Sequence, residues 1–233
     1  MIHRAIHAAF ALILFGIAGS AVARANESDL IAIDVLLEPD AAMVAKAREA
    51  NSRLRHDYSQ GFAFDATHVP HITLLQRFVR VGDLPAFEKA MAALFKGGRA
   101  VGMNLTATGY RGGSVADARV AVIAIRNTPD LARLQQEVAA AAAPFAQSGG
   151  TATAFFERPV SSTIAASAAY VNDFTDKYSG PNFAPHVTVG VGLADVVDRM
   201  VAEPFAAFGF KIAGAAIYQL GDIGTARKKL WAP

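Results

Sequence analysis

Two stretches of this chain carry the same short motif, and their placement constrains the fold. VPHITLLQ (residues 69–76) and APHVTVGV (residues 184–191) each read Pro-His-x-Thr inside an apolar run. The residues around the first motif predict the order strand, helix, strand, helix, strand, from apolar runs, helical spacing and turn residues. These predicted elements span residues 30–37, 39–58, 71–79, 84–95 and 101–110, before a predicted turn at Gly112-Gly113.

The same order repeats in the second half of the chain. It is predicted over residues 119–125, 128–144, 186–191, 195–208 and 210–220, followed by a hairpin at Gly221-Asp222 and a strand over residues 225–231. The pattern therefore predicts a duplicated α+β fold after residue 25, with one lobe over about residues 28–113 and a second over about 117–233. The second half carries an insertion at about residues 146–180, which we interpret as a loop with a short helix. The sequence leaves open whether this insertion covers a cleft or lies outside it.

The motif places an imidazole and a hydroxyl together on one face of each strand. Residues i and i+2 of a strand share a face, so His71 lies beside Thr73, and His186 beside Thr188. A phosphate between the two strands would meet two imidazoles and two hydroxyl donors. One imidazole would take a proton from water and the other would protonate the leaving oxygen, while the hydroxyls stabilise the phosphoryl oxygens. The sequence does not distinguish which histidine is acid and which is base, and the chemistry needs neither a metal nor another cofactor.

The motifs PHITL (residues 70–74) and PHVTV (residues 185–189) resemble the paired motifs of the 2H phosphoesterase superfamily, the 2′-5′ RNA ligase-like proteins. This resemblance implies a bilobal fold of two antiparallel sheets around a central cleft, with helices on the outer faces. It also implies a metal-independent phosphodiesterase that acts on 2′,3′-cyclic phosphates or related small nucleotides. His71, Thr73, His186 and Thr188 would form the catalytic centre. The second motif departs from the common pattern in ending with Val189 rather than Leu.

Other residues are weaker candidates for the site. Arg77 falls on the His71 face if the strand stays regular, and Thr225 and Arg227 lie in the glycine-containing segment QLGDIGTARKK, so each is a candidate phosphate contact. Alternatively, all three are ordinary residues of strand ends and edges. Tyr110 is a candidate for stacking on a base, as are Phe155, Phe156 and Tyr170, although aromatic side chains are more often part of a core. A zinc site of His68, His71 and His186 is an alternative that leaves both threonines unexplained.

The first 25 residues are typical of an export signal. Arg4 precedes an apolar run at residues 8–22, and Ala23-Arg24-Ala25 is a cleavage pattern, so we expect Asn26 to become the N-terminus. A permanent membrane anchor is the alternative, but the run is shorter than a membrane-spanning helix requires. The chain contains no cysteine, which fits a periplasmic or secreted protein without disulfides.

Loss of the signal removes two arginines and brings the formal net charge of +2 to zero. A neutral chain does not favour long nucleic acid as a partner, so we expect it to bind a small nucleotide. We also expect the protein to be a monomer. Two functional alternatives remain open at this level. One is an exported protein that binds a nucleotide or phosphate without catalysis, and the other is an RNA-processing enzyme of the 2′-5′ RNA ligase type.

Overall fold

The computed structural model describes residues 29–115, 118–156 and 163–233 of the chain. The signal predicted over residues 1–25 lies outside the described residues. The described ranges contain seven strands and five α-helices. In chain order these are β1 Leu30–Pro39, α1 Ala41–Asp57, β2 Ile72–Arg80, α2 Leu84–Leu94, β3 Asn104–Val115, β4 Ala118–Ile125, α3 Pro129–Ala142, α4 Ile164–Tyr178, β5 His186–Gly192, α5 Ala194–Ala202, β6 Phe208–Leu220 and β7 Ala226–Trp231.

All the strand pairs are antiparallel, and strand β6 belongs to both halves of the fold. The strand order is β2-β1-β6-β3-β4-β5, and β7 pairs with the end of β6. The first part of β6, Phe208–Lys211, pairs with β3, whereas its later residues from Ile212 to Gln219 pair with β1. One half therefore consists of β2, β1, the later part of β6 and β7, and the other consists of the early part of β6, β3, β4 and β5.

This pairing departs from the predicted division of the chain at residues 113–117. Strand β3, predicted in lobe one, pairs with β4 in the second half, while the later part of β6 and β7, predicted in lobe two, pair in the first half. The reason is local: β3 and β4 are neighbours in the chain, and sequential strands readily pair. The α+β class and the antiparallel sheet agree with the prediction, but the halves exchange strands rather than divide the chain in two.

The main core lies between the strands and four of the helices. In the first half, α3 packs against α2 and β2, and in the second half α1 packs on β5 while α5 packs on β3 and β4. Leu37, Phe87, Leu134 and Val187 are members of one continuous buried cluster that extends through both halves. The opposite face of the strands is left for a cleft, and α4 packs on β2.

Three local predictions were wrong. Gly112 and Gly113 do not form a turn but continue β3, paired with Ala121 and Val120. Helix α5 ends at Ala202 rather than near residue 208, because Pro204 disfavours helical backbone at the residue before it. The insertion contains a helix of 15 residues, α4, rather than a short one, since its alanine-rich start favours helix.

Each Pro-His-x-Thr strand carries one extra residue directly after its threonine. On β2, Thr73 pairs with Leu36 and Leu75 with Val35, which leaves Leu74 unpaired as a bulge. On β5, Thr188 pairs with Val122 and Gly190 with Ala121, which leaves Val189 in the same position. A bulge shifts the alternation of side chains by one residue, so the face that a later residue occupies cannot be counted from the histidine.

No helix among the described residues is long and apolar enough to cross a membrane.

The bulge on β5 requires glycine at position 190. Gly190 has a φ of +155°, and an added Cβ would lie 2.9 Å from Leu54 Cδ1 and 3.1 Å from Asn51 Nδ2. We expect Gly190→Ala to lower the free energy of unfolding by about 1–3 kcal/mol, because α1 cannot retreat without losing core contacts. Urea unfolding followed by circular dichroism measures the change. Gly82→Ala is the control, since nothing lies within 4 Å of that position; equal stability of the two variants would contradict the packing argument.

Candidate active site

Both motif histidines are fixed by the same backbone contact. Nδ1 of His71 lies 2.8 Å from the carbonyl oxygen of Val69, and Nδ1 of His186 lies 2.8 Å from that of Ala184. A carbonyl only accepts, so each Nδ1 carries a proton and donates. The intervening proline has a fixed φ, which holds the accepting carbonyl in place relative to the ring. The Pro-His part of the motif therefore sets the orientation of the imidazole and leaves Nε2 for chemistry.

The two motifs line one cavity. His71, Thr73, His186 and Thr188 all border a cleft of about 930 Å³. Some Cα atoms of β2 and β5 lie within 8 Å of each other. The structure therefore brings together the four residues that the sequence singled out.

Asp34 lies directly beneath the first motif. Its side chain is fully buried, and its Oδ2 accepts hydrogen bonds from Thr73 Oγ1 at 2.7 Å and from Gln76 Nε2 at 3.1 Å. The same oxygen lies 3.6 Å from Nε2 of His71, whose side chain is 12% exposed. Asp34 Oδ1 has no hydrogen-bond partner among the described residues. Burial raises the pKa of the Asp34 carboxyl, whereas His71 and the two hydrogen bonds act in the opposite direction.

Within the described ranges, the second motif has no counterpart of this carboxylate. Asp34 pairs with Gln76, five residues after His71, and at the equivalent position Val120 pairs with Val191, five residues after His186. No hydrogen bond is formed by the Thr188 hydroxyl within the part of the chain that the structure describes. Enclosure in the cleft lowers the pKa of His186, and the nearby His71 lowers it further against an opposing contribution from the Ala184 carbonyl.

Helix α4 supplies one wall of the cavity. Tyr170 lines the cavity and stacks on Tyr178 with ring centroids 4.3 Å apart, and burial is the main cause of its raised pKa. The helix is tied to the β6–β7 connection, where Asp222 accepts hydrogen bonds from Thr163 and, at 3.1 Å, from Ser167. Part of the predicted insertion thus forms a docked wall of the cleft.

Two arginines that the sequence analysis did not single out border the same cavity. Arg111 pairs with Val122, which pairs with Thr188, so these three residues form one row across β3, β4 and β5. Arg126 follows Ala124, the partner of His186, by two residues. Both side chains are exposed and line the cavity, and neither has an ion pair or hydrogen bond among the described residues. Asp173, also in the cavity wall, is paired with Lys177 at 2.8 Å.

The weaker candidates lie elsewhere. The bulge at Leu74 places Arg77 opposite Ile33, on the core side of the sheet, and Arg77 does not line the cavity. Tyr110 is 8% exposed and packs against Phe205, on the helix side of β3. The bulge carries Arg77 to the face opposite the cleft, and side-chain alternation along β3 places Tyr110 on that face.

Thr225 and Arg227 lie beside the site rather than within the main cavity. Thr225 donates to the Asp222 carbonyl at 2.8 Å and borders a small recess that also touches His71 and Thr188. Arg227 Nη1 lies 2.7 Å from Thr67 Oγ1 and 2.9 Å from His68 Nδ1, and its guanidinium lies over Phe156. Of the other aromatic candidates, Phe155 lines the main cavity together with Tyr170.

His68 contacts Asp65 at 3.4 Å, stacks on Phe62 and lies 2.9 Å from Arg227 Nη1. The described residues contain no group of three histidine, cysteine or acidic side chains that could hold a metal ion.

The family model described as the 2′-5′ RNA ligase superfamily matches residues 38–219, well over half of the chain. The chain belongs to this superfamily. Its members include the 2H phosphoesterases, which the two motifs resembled. No curated protein sequence matches the chain.

Three solved structures illustrate the similarity. LigT of E. coli in apo form is 18% identical with a TM-score of 0.42, and the match covers 88% of this chain and 98% of that one. LigT complexed with ATP is 19% identical with a TM-score of 0.44, covering 87% and 98%. A structure described as a phosphoesterase is 16% identical with a TM-score of 0.38, covering 86% and 96%.

Because each motif histidine donates from Nδ1 to a backbone carbonyl, we expect the neutral ring to carry its proton on Nδ1. At pH 7.5, long-range ¹H–¹⁵N spectra should show neutral His186 protonated at Nδ1, and this ring should take up its second proton only below the ordinary pKa of 6.5. The cause is the partial burial of the ring in the cleft. His56, on the exposed surface of α1, is the internal reference. A spectrum with the proton on Nε2 of His186 would contradict the geometry.

Proposed function

We propose that this chain hydrolyses a cyclic or otherwise small nucleotide phosphodiester of the 2′,3′-cyclic phosphate type by two-histidine acid–base catalysis. The observation that carries the proposal is the pair of imidazoles that line one cavity. Each is held through Nδ1 by a carbonyl, and neither Nε2 forms a hydrogen bond with a described residue. Superfamily membership supports an enzyme of this general kind. A protein that only binds phosphate would gain more from arginine or lysine than from a neutral imidazole.

The lowered pKa of His186 favours a role for this residue as the general base. A neutral Nε2 takes a proton from water as the water oxygen forms a bond to phosphorus. The bond from phosphorus to the leaving oxygen breaks, and that oxygen takes the proton from Nε2 of protonated His71. The product is a phosphomonoester with a free hydroxyl, and exchange of protons with solvent restores both rings.

The charge that develops on the phosphoryl oxygens requires donors, and the cavity offers Thr188, Arg111 and Arg126. Adjacent strands are about 4.8 Å apart, so the Cα of Arg111 lies about 10 Å from that of Thr188, within reach of a guanidinium that contacts a bound phosphate. We propose these arginines as substrate-binding residues. Tyr170 and Phe155 offer apolar surface for a base in the same cavity.

The catalytic roles are tested by turnover of the four 2′,3′-cyclic nucleoside monophosphates in the presence of EDTA. We expect hydrolysis by the wild type, and a loss of about 10²–10⁴-fold in kcat for His71→Ala and for His186→Ala, because each removes one proton transfer. His56→Ala is the matched control on the exposed surface. Nucleotide binding by calorimetry without any turnover, unaffected by either mutation, would favour a binding protein instead.

The arginine contacts are tested separately. Arg111→Ala should raise KM about 10-fold or more with a smaller change in kcat, since a hydrogen bond to a charged group contributes about 1.5–3 kcal/mol. Arg80→Ala is the matched control, because Arg80 is exposed at the end of β2 and does not line the cavity. If both variants keep the wild-type KM, Arg111 does not contact the substrate.

We also propose that the protein is exported with cleavage after Ala25 and acts in the periplasm or outside the cell as a monomer. The basis is the sequence of residues 1–25 together with the absence of cysteine. Mass spectrometry of the protein recovered from the periplasmic fraction should give an N-terminus at Asn26.

A further inference from the structure

The two motifs are equivalent in sequence but not in what lies beneath them. Five residues after His71, Gln76 pairs with Asp34, and both side chains are buried and polar. At the equivalent position of the second motif, Val191 pairs with Val120, and both side chains are buried and apolar. A duplicated fold with identical motifs gives no reason for this difference. The difference falls directly below the reacting groups, where it can assign separate roles to the two histidines.

We propose that Asp34 is a positioning residue that makes His71 the proton donor and draws the Thr73 hydroxyl away from the phosphate, leaving Thr188 as the threonine that contacts it. This inference rests on the proposed hydrolysis and goes beyond it by naming the residue that separates the roles of the two histidines and of the two threonines.

The contact between Asp34 and His71 favours a proton on Nε2. Nδ1 of His71 is already protonated because it donates to Val69, so a second proton on Nε2 gives an imidazolium. Asp34 Oδ2 lies 3.6 Å from this atom, within a buried setting where charges interact more strongly than in water. Among the residues that the structure describes, no carboxylate is placed in this way beneath His186, whose surroundings favour the neutral ring.

The contact between Asp34 and Thr73 directs the hydroxyl proton. A hydroxyl has one proton, and Thr73 donates it to Asp34 Oδ2 at 2.7 Å. Thr73 therefore turns its lone pairs, not its proton, toward the cavity. Gln76 donates to the same oxygen at 3.1 Å and holds the carboxylate in place.

A purely structural role does not explain this arrangement. A buried carboxylate with one unpartnered oxygen costs stability, and well-packed apolar side chains in its place are often neutral or stabilising. The second half of the fold has valines at the equivalent positions, so the fold itself does not need the charge.

Few other titratable groups face Asp34. On β2 it faces His71, on α4 Tyr170, whose raised pKa has Asp34 among its causes, and on β6 its partner in register is Tyr218. The Tyr218 hydroxyl donates to Glu38 at 3.0 Å. Among the described residues, His71 is the titratable group that interacts electrostatically with His186. His71 is therefore the one group among these that becomes a cation next to Asp34.

The test uses Asp34→Asn in the full chain and two substrates that differ in leaving group. Adenosine 2′,3′-cyclic phosphate expels an alkoxide that needs a proton, whereas thymidine 5′-(p-nitrophenyl phosphate) expels a nitrophenolate that departs without one. We expect kcat for the cyclic substrate to fall at least 10-fold with little change in KM, and kcat for the nitrophenyl ester to change less than about 3-fold. Asp130→Asn, an exposed charge removal at the start of α3, is the matched control and should leave both rates unchanged.

The pH profile gives a second readout that a structural role would not move. The general acid must be protonated, so kcat/KM falls as the pH rises through its titration. Removal of the Asp34 charge should move this basic limb to lower pH, because the carboxylate that lies 3.6 Å from Nε2 of His71 is then neutral. An unchanged basic limb, or equal losses on both substrates, would overturn the proposal.

Stability separates the positioning role from a folding role. Because burial raises the pKa of Asp34, the ionised form disfavours the folded state at pH above that pKa, so a neutral Asn should leave the melting temperature at pH 7.5 unchanged or raise it. A melting temperature lowered together with a loss of both activities would indicate a structural residue and overturn the proposal.

One comparison separates this proposal from the proposed function. If the wild type hydrolyses no cyclic nucleotide, the proposed function is contradicted. If the wild type hydrolyses the cyclic substrate and Asp34→Asn lowers kcat equally for both substrates, only the role of Asp34 is overturned.

Discussion

The geometry of the cleft depends on one strand, β6, whose hydrogen bonds join both halves of the protein. Its early residues pair with β3 and its later residues with β1. The two histidine strands lie at the outer edges of this strand order, so their separation across the cleft is set by the twist of the strands between them. The shared strand makes the two halves one continuous unit. The two histidines are more than one hundred positions apart in the chain. The shared strand can hold them in one site without a ligand that connects the two halves.

Within this frame, each motif combines three local devices. The proline fixes the backbone before the histidine, the carbonyl before the proline orients the ring through Nδ1, and the bulge after the threonine sends the next two side chains into the core. On β2 these two side chains are Leu74 and Leu75, both in the core cluster. These two apolar side chains fix the motif strand to the core, and its histidine and threonine side chains stay on the cleft face. The same construction recurs on β5, where Gly190 allows α1 to pack closely.

The structure also shows where function and stability oppose each other. Asp34 is buried with an unpartnered oxygen in a strand that is otherwise apolar, and such a residue costs folding free energy. Proteins tolerate this cost where a charge serves chemistry, and perturbed titratable groups accordingly concentrate at functional sites. The valines at the corresponding positions of the second half represent the arrangement that packing alone would select.

The sequence by itself determined the class of the fold and most of the secondary structure, because these follow from local patterns. It also indicated the four motif residues as candidates for the site. Alternation places His and Thr of one motif on the same face, and helical spacing and capping residues such as Thr128 mark the helices. Asp34 was also visible as a charge inside the apolar run LIAIDVLL, a signal that sequence reasoning passed over.

What only the tertiary structure decided is everything that depends on pairing across the chain. The bulge at Leu74 moved Arg77 to the core side, and the pairing of β3 with β4 brought Arg111 into the row of Thr188. Strand β3 was predicted in the first lobe but pairs in the second half, and the later part of β6 was predicted in the second lobe but pairs in the first half. Both assignments depend on long-range pairing. Bulges and strand order have no reliable local signature, because a shift of one residue reverses every later side chain while leaving the sequence pattern almost unchanged.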